Sequence, residues 1–132
     1  MHLKDLREYI QALDKIGEVQ SIEKSVDLFL EAGGIIRRSY DLQAPAPLFE
    51  NLHYKGEEIY EGLRVLGAQG GTSAKPKLLM ARAAISMGLK PTSSTVEILE
   101  AIGKLLEAKP IKPKIVATGP CKENIVLGDD VD

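Results

Sequence analysis

The sequence predicts an α/β (α+β) fold: a two-layer domain with about four helices over a small mixed sheet of roughly three to five strands. Three observations lead there. Apolar residues recur at helical spacing in four stretches, short strand-like segments lie between them, and the connections are short. A length of 132 residues suits one compact domain, and 44% hydrophobic with 27% charged residues is globular composition rather than disorder.

The elements follow in order. Asp5 and Glu8 have capping-box spacing for a helix over residues 5–17, and their charges suit the positive end of its dipole. Leu6, Tyr9, Ile10, Leu13 and Ile16 form its apolar stripe, and Gly17 suits the left-handed position that ends it. Val19–Ile22 alternates as a half-buried strand does. Asp27 is expected to cap a second helix over residues 28–40 that turns Leu28, Ala32, Ile35, Ile36 and Tyr40 inward. Gly33-Gly34 inside it costs about 1 kcal/mol per glycine relative to alanine, which predicts close packing of backbone on a neighbour.

Pro45 and Pro47 break the helical pattern. Residues 48–52 and 62–67 predict strands, with a turn at 54–57 between them and a small-residue loop at 67–75. Pro76 opens a third helix reaching Met87, with Leu79, Met80, Ala83, Ala84 and Met87 toward the core and Gly88 after it. Ser94 and Glu97 form a second capping box, for a helix whose inner face is Ile98, Leu99, Ile102, Leu105 and Leu106 and which stops before Pro110. Residues 111–117 are expected as an edge strand or a linker, because Pro113 cannot donate to a ladder.

Composition narrows the function. The net charge of −2 recruits neither nucleic acid nor an acidic membrane. All six aromatic residues lie in the first 60 positions, so the basic stretch Lys104, Lys109, Lys112 and Lys114 has no stacking partners and reads as a solvated helix end. No apolar run approaches the ~18–20 residues of a membrane span. The charged opening MHLKDLREYI is unlike a signal peptide, so a cytoplasmic protein is expected.

The reactive side chains form no constellation. Cys121 is the single thiol, with Lys122 beside it and no histidine near in sequence; a packed turn residue is the plainer reading. His2 and His53 have no ligand spacing between them, and no Ser–His–Asp set is indicated. Asp129, Asp130 and Asp132 read as a solvated tail. The loop Gly67-Ala68-Gln69-Gly70-Gly71-Thr72-Ser73 invites comparison with a phosphate cradle, but Gly62-x-x-x-x-Gly67 is followed by Ala68 where a Walker loop has lysine. A turn ahead of a proline-started helix is favoured, with anion binding as the alternative. No catalytic, cofactor-binding or metal-binding residue is assigned.

The closing segment, residues 119–132, GPCKENIVLGDDVD, resembles a stretch of the UbiD family of decarboxylases. Residues 5–22 resemble that family's opening helix and strand, APLFEN at 46–51 its Pro-Ala-Leu-Leu-Phe-Glu-Asn strand with Pro47 in place of an apolar residue, and ARAAISMGL at 81–89 its following arginine-plus-Leu-Gly helix. The resemblance implies an N-terminal α/β domain, here residues 1–117, with residues 118–132 as a leader into a cofactor-binding domain absent from this chain. It further implies a parent enzyme that decarboxylates aromatic or α,β-unsaturated carboxylic acids with prenylated FMN, Mn²⁺ or Mg²⁺, and K⁺. The family's flavin and metal ligands and its Glu-Arg-Glu catalytic set lie beyond the matching region, so none is carried onto a residue here. The expected partners are the remaining domains of the parent, with a homo-oligomer left open, and the chain alone is expected to be inactive. The alternative is a stand-alone assembly subunit for a separate catalytic chain, using Gly33-Gly34 and the Ile125-Val126-Leu127 triplet as its interface. Residues 119–132 are expected to be less ordered or held in an intermolecular contact.

Overall fold

Asp5 opens the first helix, α1 (Leu6–Asp14), by accepting a hydrogen bond from the Glu8 amide at 2.9 Å. Glu8 reaches back not to Asp5 but one residue further, to the amide of Lys4 at 2.8 Å. The helix buries Tyr9, Ala12 and Leu13, and the chain reverses through Gly17 at φ +67, as its sequence predicts. The structure, a computed structural model, describes residues 3–58, 62–120, 125 and 127–128.

Two parallel strand pairs follow. Strand β1 (Val19–Ile22) runs beside β3 (Ala46–Phe49), from Val19↔Ala46 to Ile22↔Phe49. Strand β2 (Val26–Asp27) runs beside β4 (Leu52–Tyr54), with Val26↔Leu52 and Asp27↔His53 in register. Between the pairs, the Glu50 amide bonds Ile22 O and the Val26 amide bonds Asn51 O, both at 3.1 Å. The same two stretches of chain thus pair twice, with a break at residues 23–25 and 50–51. Parallel partners need a crossover, and α2 (Glu31–Asp41) supplies it.

Each pair gains one antiparallel strand. β5 (Glu57–Glu58) folds onto β4 through Lys55 and Gly56, both at positive φ, as a two-residue hairpin requires. β6 (Val65–Leu66) pairs with β3 at Leu48↔Leu66 and Phe49↔Val65. The expected small mixed sheet is therefore present in two three-stranded pieces, β1-β3-β6 and β2-β4-β5. The β3–β6 ladder ends at Pro47: Gly67 donates to its carbonyl at 2.8 Å, and proline has no amide to return. A 3₁₀ turn (Pro76–Leu78), α3 (Ala81–Ser86) and α4 (Thr95–Leu106) follow among the described residues.

Two apolar clusters hold the layers. Tyr9, Ala12 and Leu13 of α1 meet Ala46, Leu48, Leu66 and Ile85 on one side of the sheet. Val26, Phe49 and Leu52 meet Ala32 of α2 on the other, with Ile35 and Ile36 partly buried against them.

Several expectations are corrected. Asp27 does not cap α2. It lies in β2, and α2 starts at Glu31 after Leu30, which sits at φ +72 without a side-chain cap. Gly33 and Gly34 are exposed, and an added Cβ at either would meet nothing within 4 Å. Close packing falls instead at Gly67, where a Cβ would stand 2.5 Å from Ile36 Cγ1 and 3.1 Å from Pro47 Cγ. The third helix breaks at Leu79 and Met80, and its buried face is Ala81, Arg82, Ala84 and Ile85; of the predicted stripe only Ala84 is fully buried. In α4, Ile98 is buried while Leu99, Ile102, Leu105 and Leu106 are exposed. Of the two readings of residues 111–117, edge strand or linker, no strand forms; Ile111 and Ile115 are more than nine-tenths exposed.

Candidate functional site

The most connected polar cluster is built around Glu18 and Arg82. Glu18 follows the glycine that ends α1 and precedes β1, so its side chain is carried under the sheet edge; it is 1% exposed. Arg82 sits on the buried side of α3 among alanines small enough to let that helix approach, and it too is 1% exposed. Arg82 Nη2 meets Glu18 Oε2 at 3.3 Å and also donates to Ala44 O, while Nη1 donates to Ala68 O at 3.0 Å. Its Nε has no partner among the described residues. A buried charge is tolerable only when paired and hydrogen-bonded, and this cluster meets that condition at both ends.

The glycine-rich loop is fastened to this pair. Ser73 Oγ donates to Glu18 Oε1 at 2.8 Å and accepts from the Lys75 amide at 3.1 Å. Lys75 Nζ caps the end of α1, donating to Ile16 O at 3.1 Å and Gly17 O at 2.9 Å and standing 3.3 Å from Glu18 Oε1. Gly71 packs so closely on the Arg82 guanidinium that a Cβ would collide with Nη1. Tyr9 closes the assembly by donating from its hydroxyl to Arg82 O at 3.2 Å and Gln69 O at 3.3 Å. Burial pushes the Tyr9 phenol up from its ordinary value, partly opposed by the Arg82 charge. The loop's shape thus follows from a buried ion pair, and the guanidinium against Gly71 is committed to Glu18, Ala44 O and Ala68 O. The turn reading fits this geometry.

A second polar group lies at the strand break. Ser25 Oγ is 2.9 Å from His53 Nδ1, and Asp27 Oδ2 is 3.7 Å from His53 Nε2. Asp27 Oδ1 accepts from the amides of Phe29 at 2.7 Å and Lys55 at 3.2 Å. The Phe29 amide above all holds the Asp27 carboxyl below the usual aspartate range, helped by the Lys55 amide and the nearby His53 and Lys55 charges. Serine, histidine and aspartate meet here, but the carboxylate stands beyond hydrogen-bond distance of the ring it would have to orient. Their job is to tie β2 to β4 across the Asp27↔His53 register.

Sequence reasoning missed the Glu18–Arg82 pair. A single arginine inside the alanine-rich run ARAAIS, on the side that must be buried, was the available signal; nothing in Glu18's neighbours named it as the partner. His53 lies within β4. Lys104, Lys109, Lys112 and Lys114 are exposed. His2, Cys121, Lys122, Val126, Asp129, Asp130 and Asp132 lie outside the described residues; Ile125 and Leu127 are exposed. Among the described residues no three His, Cys, Asp or Glu side chains converge as metal ligands, and no helix is long and apolar enough to cross a membrane.

Comparison with known proteins adds the context. Residues 10–102 match the family described as 3-octaprenyl-4-hydroxybenzoate carboxy-lyase N-terminal domain. The chain is 36% identical over 128 residues to pyrrole-2-carboxylic acid decarboxylase of Pseudomonas aeruginosa, covering 97% of this chain and 25% of that protein. It is 32% identical over 129 residues to ferulic acid decarboxylase 1 of Saccharomyces cerevisiae, covering 96% and 25%. Among solved structures, vanillic acid decarboxylase of Sedimentibacter hydroxybenzoicus in an open form superimposes with a TM-score of 0.66 at 25% identity, again over 96% of this chain and 25% of the other. The chain spans about a quarter of the length of the relatives it matches.

Proposed function

This chain belongs to the UbiD family of carboxy-lyases as its N-terminal domain, and from that premise we propose that it is the scaffold quarter of a decarboxylase rather than the quarter that performs the chemistry. The observation that carries the reading is the match itself: nearly all of this chain aligns with only a quarter of each relative. Residues 1–117 are the domain proper on this reading, and residues 118–132 lead toward the part of the enzyme that binds cofactor. The polar clusters support it, because each is consumed in holding the fold. Glu18 and Arg82 pin the 67–75 loop, and Ser25, His53 and Asp27 tie two strands.

The substrates named for the relatives share a carboxyl group on an aromatic or α,β-unsaturated carbon, and we assign the parent activity to that class. Loss of CO₂ from such a carbon leaves an electron pair that needs a sink, which prenylated FMN supplies when bound. The described residues do not fit that group or its metal: no ligand cluster is formed, and the glycine loop is closed over Arg82. On this reading no step of the reaction is assigned to the described residues. Its contribution is to hold a rigid sheet-and-helix body against the cofactor-binding part and so maintain the cleft between them.

The test is reconstitution. The purified 132-residue chain, incubated with prenylated FMN, Mn²⁺, K⁺ and pyrrole-2-carboxylic, ferulic or vanillic acid, is expected to release no substrate-dependent CO₂. It is also expected to emerge from gel filtration without stoichiometric flavin. Turnover, or retention of one flavin per chain, overturns the reading.

A further inference from the structure

Resting on that reading, the chain meets the rest of a decarboxylase over a definite part of its surface. We infer that this part is the outer side of α4 together with the segment that follows it. Val96, Leu99, Ile102 and Leu106 fall at i, i+3, i+6 and i+10 along α4, with Gly103 between them, and all four large residues are exposed. A helix in water normally turns such a stripe toward its own core. Here the core is reached by a different side, through Ile98, which is 4% exposed. Even that inner side is incompletely closed: a groove of about 780 Å³ lies between α4 and the end of α3, bordered by Met87, Leu89, Ala101 and Leu105.

Exposed apolar residues continue along the chain past the helix. Ile111, Ile115 and Val116 are exposed in residues 107–118, interleaved with Lys112 and Lys114. Pro110 and Pro113 keep this stretch extended, so it cannot fold back as a helix to cover α4. Large apolar residues left exposed in such number on neighbouring stretches of chain mark an interaction site.

Its occupant is the remaining polypeptide of the decarboxylase. The family match makes this chain an N-terminal domain, and the relatives carry about three quarters of their length outside the matched quarter. That remainder follows the matched region, so α4 and residues 107–118 are the surfaces nearest to it along the chain. Docking there closes the shortest loop, and loop closure costs least when it is short. Another exposed apolar group, Phe29 with Tyr54, is remote in sequence from that exit. Its rings already meet edge to face at 6.2 Å, with Lys55 Nζ 4.9 Å from the Phe29 centroid. It serves as the control face.

The experiment joins this chain to the remainder of the Pseudomonas pyrrole-2-carboxylic acid decarboxylase in place of that enzyme's own matched quarter. Amide exchange is then compared with that of the 132-residue chain alone. Exchange over residues 95–116 is expected to slow at least tenfold in the joined protein and around Phe29–Tyr54 to stay unchanged; Leu99→Asp with Leu106→Asp is expected to abolish the slowing. Slowing only at Phe29–Tyr54 overturns this docking face and leaves the scaffold reading standing. Slowing on no face of the chain overturns the scaffold reading as well. Concentration-dependent self-association of the 132-residue chain that the same two substitutions remove makes a second copy the occupant, and overturns the inference. Should the graft not fold, the intact Pseudomonas enzyme is read directly: free exchange in its helix aligned with residues 95–106 overturns the docking face, and shielding there supports it.

Discussion

Helices α1 and α4 are each opened by a side-chain cap, Asp5 on the Glu8 amide and Ser94 on the Glu97 amide, yet α1 buries Tyr9, Ala12 and Leu13 whereas α4 buries Ile98 alone. Both carry apolar residues at helical spacing, so the difference does not lie in pattern. It lies in what stands opposite. α1 faces β1, β3 and α3, and its C-terminal end is clasped by Lys75 and the Glu18–Arg82 pair. α4 follows a loop at residues 87–94, and there one isoleucine is buried while the rest of the stripe finds water. Local sequence starts a helix; only a second surface makes its apolar side count toward stability.

The contrast is most severely tried at the buried pair. Arg82→Ala leaves Glu18 charged, buried and short of its partner, and is expected to lower stability by about 3–5 kcal/mol in urea denaturation. Glu18→Leu combined with Arg82→Met removes both charges and is expected to cost markedly less than the single change. A cost below about 1 kcal/mol for Arg82→Ala would mean that the body is not pinned there.

Next comes a matched pair of truncations. Leu13→Ala in α1 is expected to cost about 2–5 kcal/mol. Leu99→Ala in α4 is expected to stay within about 0.5 kcal/mol of wild type. Comparable losses would place α4 in the cooperative core and erase the distinction.

The smallest effect concerns α4 by itself. Ser94→Ala removes the cap and is expected to weaken the helix by about 1 kcal/mol, seen as faster amide exchange over residues 95–106. The Ser94 backbone amide, with its hydroxyl, holds the Glu97 carboxyl below the ordinary value of 4.5. A depressed carboxylate stabilises the fold above its unfolded pKa, and that contribution is lost as pH falls through the folded value. Acid is therefore expected to weaken the start of α4 as pH falls through the folded Glu97 value. In Ser94→Ala, the Glu97 titration followed by NMR is expected to move up toward the ordinary value; no movement would remove the cap from the account.

Much of this was legible in the residues themselves. Asp5, Gly17 and the Ser94–Glu97 box act within a turn of their own positions, so their roles follow from short-range hydrogen bonding and φ preference. The same is true of the Lys55-Gly56 hairpin turn, and the resemblance of the chain to its family is likewise written in local motifs. What sequence could not decide was long-range. Asp27 is an acceptable cap by type, but the chain spends it on the amides of Phe29 and Lys55, and Lys55 is 28 residues away. Gly33-Gly34 looked like the close contact, yet Gly67 makes it, because Ile36 and Pro47 arrive there from other elements. Arg82 meets Glu18 across 64 residues, and the exposure of α4 depends on which surfaces the sheet leaves unoccupied. Side-chain chemistry and backbone preference are properties of neighbours along the chain; burial and pairing are properties of neighbours in space, and those exist only once the fold has brought them together.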